Sequence, residues 1–114
     1  MAADGQQLDL HWRFMWELSG DDRADAVWTR AAAGTVDGGP VRILAADDML
    51  LHVVVHGARW NTVPPVRWVA DAVTVLTAAG ASFPWGRLVE SARAGGLVLP
   101  LRDALEYLAA CLDV

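Results

Sequence analysis

The stretch Met49-Leu50-Leu51-His52-Val53-Val54-Val55-His56-Gly57-Ala58 is apolar nearly all the way round when wound as a helix. A helix without a polar face cannot lie on a surface, so other elements must cover it on every side. A single helix starting at Ala46 or Asp47 and running through Ala58 is therefore predicted to be the central, most buried element.

The text after it supplies the cover. Residues 61–65 break the helix, and Pro64-Pro65 suits the first turn of a new one. That second helix has Val66, Val69, Ala70, Val73 and Leu76 on its predicted inner face and Gly80 as its stop. A third opens at Ser82-Phe83-Pro84-Trp85, turns Trp85, Leu88, Val89 and Ala92 inward, and ends at Gly95-Gly96. Pro100 starts a fourth, whose stripe reads Leu101, Ala104, Leu105, Leu108 and Leu112. Short connections imply antiparallel neighbours in a bundle.

Ahead of residue 45 the text is strand-like. Residues 7–16 alternate well enough for a strand, and Ser19-Gly20-Asp21-Asp22 supplies a turn and a helix N-cap. A helix is predicted over 22–33, with Ala24, Val27, Trp28 and Ala31 at helical spacing and Gly34 as its stop. Residues 35–44 then read as a hairpin turning at Asp37-Gly38-Gly39. The expected class is α+β and mostly helical: an antiparallel sheet of two to three strands, then a bundle of about four helices. Residues 1–44 are too few and too polar to stand as an independent domain, so 1–114 is read as one unit with 45–114 as its helical part.

Composition narrows the function classes. A hydrophobic content of 54% with six tryptophans builds a core, and these tryptophans are expected mostly inside it, with Trp60 in a loop as the best stacking surface. The net charge is −5, every base is Arg, and the arginines are scattered, which argues against a nucleic-acid partner. No apolar run reaches the length of a membrane span, and no basic start leads into an apolar leader, so the expected location is cytoplasmic and no membrane partner is expected. Abundant Ala and the lack of Lys fit a GC-rich bacterial coding bias. The single cysteine, Cys111, reads as a small hydrophobe in a helical stripe. Ser19 and Ser91 have no His-acid partner at readable spacing, which leaves nucleophilic catalysis unsupported.

Two groups of residues could carry chemistry. In a strand over Leu8-Asp9-Leu10-His11-Trp12-Arg13, Asp9 and His11 share one face while Leu8, Leu10 and Trp12 share the other, which presents Asp9 to a metal or substrate. The plain alternative is an edge-strand acid facing water. His52 and His56, at i and i+4, share a helix face, the spacing used by zinc-binding helices. A hydrolytic zinc helix carries Glu beside the first His, and here Val53 stands there. Arg67 and Asp71 are also i and i+4, so the expected arrangement is a polar seam in which Asp71 accepts a hydrogen bond from a buried His52 or His56. If functional, that seam would line a substrate cleft opposite Asp9.

The run from Leu8 to Arg13, together with several segments downstream of it, resembles an uncharacterised nucleotidyltransferase family of the polymerase-beta-like superfamily. Its members read "valine or leucine, Asp, Leu, His, Trp, Arg" at the end of the catalytic half. The resemblance continues in order through Val27-Trp28-Thr29-Arg30-Ala31, Asp48-Met49-Leu50-Leu51-His52 with His56, Val66-Arg67-Trp68-Val69-Ala70-Asp71, Pro84-Trp85 and Ala92-Arg93. In the superfamily two carboxylates follow a Gly-Ser turn, a third comes from a later strand, and together they hold two magnesium ions. The resemblance puts Asp9 in the place of the third, as catalytic residue and magnesium ligand.

This sequence has no Gly-Ser pair and no Asp-x-Asp, and Asp21-Asp22 and Asp47-Asp48 are adjacent rather than one apart. One aspartate cannot hold a two-metal site. What the resemblance implies is a fragment: the distal, substrate-contacting part of a nucleotidyltransferase-like enzyme. Completed by upstream residues, it would act with magnesium on a nucleotide and an unknown acceptor. The alternative is a non-catalytic helical protein-interaction module, with a protein partner or self-association through the N-terminal strand edge.

Overall fold

A computed structural model of the chain describes residues 21–59 and 66–112. The order of elements is α1 (Asp21–Arg30), β1 (Ala32–Val36), β2 (Gly39–Ile43), α2 (Ala46–Val53), a π-helical segment (Val54–Arg59), α3 (Arg67–Ala79), a 3-10 turn (Gly80–Ser82), α4 (Trp85–Gly95) and α5 (Val98–Leu112). The chain is thus mostly helical, with a two-stranded antiparallel sheet followed by four helices, as its patterning predicts. The strand expected over 7–16 lies outside the described residues.

β1 and β2 pair from Ala32↔Ile43 to Val36↔Gly39. Their two-residue turn has positive φ at both Asp37 (51°) and Gly38 (77°), the conformation that matches the twist of a tight hairpin. The sequence reading carries the preceding helix too far. α1 stops at Arg30, and Ala32 to Gly34 belong to β1. Arg42 on β2 supports the early stop: its Nη2 donates to the carbonyls of Trp28 (2.9 Å) and Ala31 (3.1 Å), placing a cation at the C-terminal end of α1. Cross-strand pairing of Ala33 and Gly34 with Arg42 and Val41 then outweighs the helix propensity of the alanines.

The bundle is built round α2 and the π segment. Leu50, Leu51 and Val54 are fully buried, and with Val55 they form the centre of a cluster reaching Trp68 and Ala72 on α3, Leu88 and Ala92 on α4, and Leu101 and Leu108 on α5. The predicted inner faces hold in part. Ala104 and Leu108 are buried as expected, while Val66 and Ala70 are exposed and Trp68 and Ala72 turn inward instead. Trp28 and Trp85 depart from the expectation that the tryptophans fill the core, being 63% and 48% exposed. Trp85 opens α4 and rests its ring 4.5 Å from that of Phe83, which fills the core in its place.

Gly96 ends α4 in the left-handed conformation, φ 68°. Leu97 N–H donates to the Ala92 carbonyl (2.8 Å) and Gly96 N–H to that of Arg93 (3.3 Å), a Schellman cap whose apolar member, Leu97, is fully buried. The cap turns the chain sharply into α5, where Pro100 occupies the first turn, a position that needs no intrahelical N–H bond.

Candidate functional site

The predicted single helix over 46–58 changes character half-way. It is α-helical to Val53 and π-helical over Val54–Arg59. Single π turns within helices are rare and are frequent at functional sites. Here the wider turn coincides with a very close approach in the bundle: a Cβ added to Gly57 would lie 2.5 Å from the Trp68 Cβ. Only a residue without a side chain lets the π segment and α3 come together at this point.

The junction carries two of the predicted site residues. The rings of His52 and His56 lie with centroids 5.1 Å apart, tilted by 35°. His52 is half-buried and His56 exposed. Arg67 and Asp71 sit on the first turns of α3 and are both exposed. The helical spacing therefore brings the two imidazoles together, but the buried seam expected around them is instead a surface open to water at His56, Arg67 and Asp71. Asp9 and His11 lie outside the described residues.

The strongest polar constellation is one that motif spacing in the sequence does not mark. Asp47 and Asp48 open α2, and both are buried. Each is gripped by an arginine from a different element. Arg30 at the end of α1 donates Nε and Nη2 to Asp48 at 3.0 and 2.7 Å, and Arg87 on α4 donates the same two groups to Asp47, both at 2.7 Å. Consecutive residues on a helix point about 100° apart, so adjacent acids reach different neighbours. This adjacency, which cannot place two carboxylates on one strand face, is what lets α2 tie α1 and α4 together.

The electrostatics follow from this geometry. Burial by itself pushes the Asp47 carboxyl up, but the hydrogen bonds and charge of Arg87, a backbone hydrogen bond and the more distant Arg30 together hold it below its ordinary value. Arg87 is raised above its ordinary value, first by its hydrogen bonds to Asp47 and then, against the opposing effect of burial, by the charges of Asp47 and Asp48. The sign that could have revealed the clamps is two adjacent acids heading a helix with no polar face: buried carboxylates need partners, and arginine is the only base besides histidine in the chain.

Over residues 1–113 the chain matches the family described as uncharacterised nucleotidyltransferase. The chain belongs to that family. Comparison with curated proteins and with solved structures gave no match. A nucleotidyltransferase of the kind the sequence resembles would use magnesium, a hard ion that takes carboxylate and water oxygens in octahedral array. The described residues do not fit it. Asp47 and Asp48 already spend their oxygens on bidentate arginines, and no group of three His, Cys, Asp or Glu among the described residues could hold a metal ion. The twin clamps are accordingly structural. No described helix is long and apolar enough to cross a membrane.

Proposed function

We propose that this chain forms the distal, substrate-contacting part of a nucleotidyltransferase-like enzyme, and that it does not transfer nucleotides by itself. The observation that carries the reading is the family match across residues 1–113 in a sequence that holds no Gly-Ser pair and no Asp-x-Asp. In this proposal Asp9 is the chain's one magnesium carboxylate and His11 its neighbour. The helices present His52, His56, Arg67 and Asp71 to the acceptor. The exposure of His56, Arg67 and Asp71 supports that role, because an acceptor must reach them from solvent.

The test is binding of a nucleoside triphosphate to the full chain with and without magnesium, followed by calorimetry, and repeated with Asp9→Asn and Asp71→Asn. Magnesium-dependent binding that weakens in Asp9→Asn supports the reading. Absence of binding, or binding indifferent to both substitutions, defeats it. Nucleotidyl transfer by the unaided chain would defeat the second half of the proposal.

A second reading, a helical interaction module, is favoured by one observation. α4 and α5 leave between them an apolar groove of about 240 Å³ lined by Val89, Ala92, Val98, Leu101 and Leu105, with Arg102 and Glu106 at its rim. Light scattering that shows a monomer, unchanged by Val98→Asp, would leave that reading without support.

A further inference from the structure

We propose that β1 is an interface: two copies of this chain join edge to edge through it, antiparallel about a two-fold axis at Gly34, and make one continuous sheet. This edge is independent of the nucleotide site proposed above and of the groove between α4 and α5.

The backbone decides which side of the hairpin is open. Val36 and Gly39 flank the tight turn, so they exchange both hydrogen bonds of a closely bonded pair, and bonded and unbonded pairs alternate from there along the ladder. Ala33 and Thr35 therefore turn their N–H and C=O groups away from β2, and Pro40 and Arg42 turn theirs away from β1. Pro40 has no N–H to offer, which blunts the outer edge of β2. β1 carries neither proline nor charge, and it is exposed except at half-buried Gly34. Among the described residues no second strand pairs with it. β1 is thus the side on which the sheet can grow.

A second copy fits this edge because the strand is complementary to itself. With Gly34 on the axis, Thr35 faces the partner's Ala33 and Ala33 faces the partner's Thr35, so the outward groups of both strands meet as closely bonded pairs. No charge on either strand opposes its like, which matters between chains of net charge −5. Just beyond the strand, Asp37 falls opposite the partner's Ala31. A cation waits there: in each copy Arg42 Nη2 lies 3.1 Å from the Ala31 carbonyl oxygen. The turn carboxylate of each copy meets the guanidinium of the other, and the two-fold axis repeats the pair.

Apolar side chains line the same seam. Ala32, Gly34, Val36, Val41 and Ile43 share one face of the hairpin, and on it Val36 and Ile43 are 64% and 49% exposed. In the joined sheet Val36 lies across from the partner's Ala32 and covers it. A Cβ added to Gly34 would lie 2.5 Å from Ile43 Cδ1, so Ile43 already leans over β1 towards the axis. There it meets the partner's Ile43. Two strands alone are marginal in water, and joining the hairpins removes that weakness.

The experiment is sedimentation velocity and amide hydrogen exchange on the full chain, over roughly 10 µM to 1 mM, where weak dimers form. The expected result is a monomer–dimer equilibrium in which the Ala33 and Thr35 amides exchange more slowly as concentration rises. Thr35→Pro removes an outward donor and no bond of the β1–β2 ladder, and it should weaken association roughly thirtyfold, as the loss of one hydrogen bond from each copy implies. Asp37→Asn keeps the left-handed turn; it should weaken association roughly fivefold and reduce its dependence on sodium chloride. The proposal is overturned if the chain stays monomeric throughout, if Thr35→Pro, folded by circular dichroism, dimerises as the parent does, or if Val98→Asp in the α4–α5 groove abolishes association. Where Thr35→Pro does not fold, the parent chain decides: dimerisation with Ala33 and Thr35 amides indifferent to concentration overturns the proposal as well.

Discussion

Replacing Arg30 by Met is predicted to destabilise the protein more than replacing its partner Asp48 by Leu. The Asp48 side chain is fully buried, whereas Arg30 keeps 21% of its side-chain surface in water. Removing the guanidinium strands a carboxylate with no route to solvent, and breaking a buried ion pair from one side costs about 3–5 kcal/mol. Removing the carboxylate leaves an arginine that can swing outward, so Asp48→Leu should cost less by roughly 2 kcal/mol. The double variant replaces both charges with apolar groups and should recover most of the loss. Against a typical total stability of about 5–15 kcal/mol, Arg30→Met removes a large fraction. At about 4 °C per kcal/mol for a chain of this size, its melting point should fall roughly 12–20 °C. Urea unfolding followed by far-ultraviolet circular dichroism and tryptophan fluorescence measures all three variants. A loss under about 1 kcal/mol for Arg30→Met, or a larger loss for Asp48→Leu, would refute the reasoning.

The Asp47 clamp makes stability depend on acid. Its carboxyl is held below the ordinary value in the folded state, so as pH falls the unfolded state takes up the proton first. The contribution is therefore complete above about pH 4 and is lost as pH drops through the lowered folded value; Asp47→Asn should flatten that part of the stability profile. Gly57→Ala puts a methyl 2.5 Å from the Trp68 Cβ, and thermal melts should show a loss of about 1–3 kcal/mol as the π segment and α3 are forced apart. Gly96→Ala forces a side chain into the left-handed cap at φ 68° and should cost about 1–2 kcal/mol by denaturant titration, with no change in spectroscopic helix content. Leu50→Ala, at a site with no solvent exposure, should cost about 2–5 kcal/mol in the same assay.

What was legible in the sequence is what depends on neighbours along the chain. Asp37-Gly38 announced its hairpin because few residue pairs accept two positive φ angles, and Gly96 announced the end of α4 for the same reason. The buried α2 was legible because a helix apolar all round has nowhere else to go. The end of α1 was not, because Arg42 from a later strand supports it. The π turn was equally hidden: Gly57 signals small size, but the reason for it, Trp68, is eleven residues away and on another helix. The His pair was visible as spacing and the twin clamps only as an acid dipeptide, since Arg30 and Arg87 lie 18 and 40 residues from the carboxylates they hold.

The division of labour between grease and charge has a kinetic side. The central cluster draws its residues from α2 onward, and although Val27 and Ala31 are buried, neither belongs to it. Helix α1 and its hairpin are fastened to the bundle in good part by Arg30 on Asp48, and to each other by Arg42. Such fastening hangs on a single charged pair, whereas the bundle is held by many apolar contacts, and a pair whose carboxylate is buried is only weakly screened by salt. Residues 21–44 should consequently behave as a separate opening unit, exchanging their amide hydrogens through partial unfolding well before the amides of α2 and α5 are released. Arg30→Met should accelerate exchange in the first group and leave the second nearly unaffected, so that one cation sets the order in which the molecule comes apart.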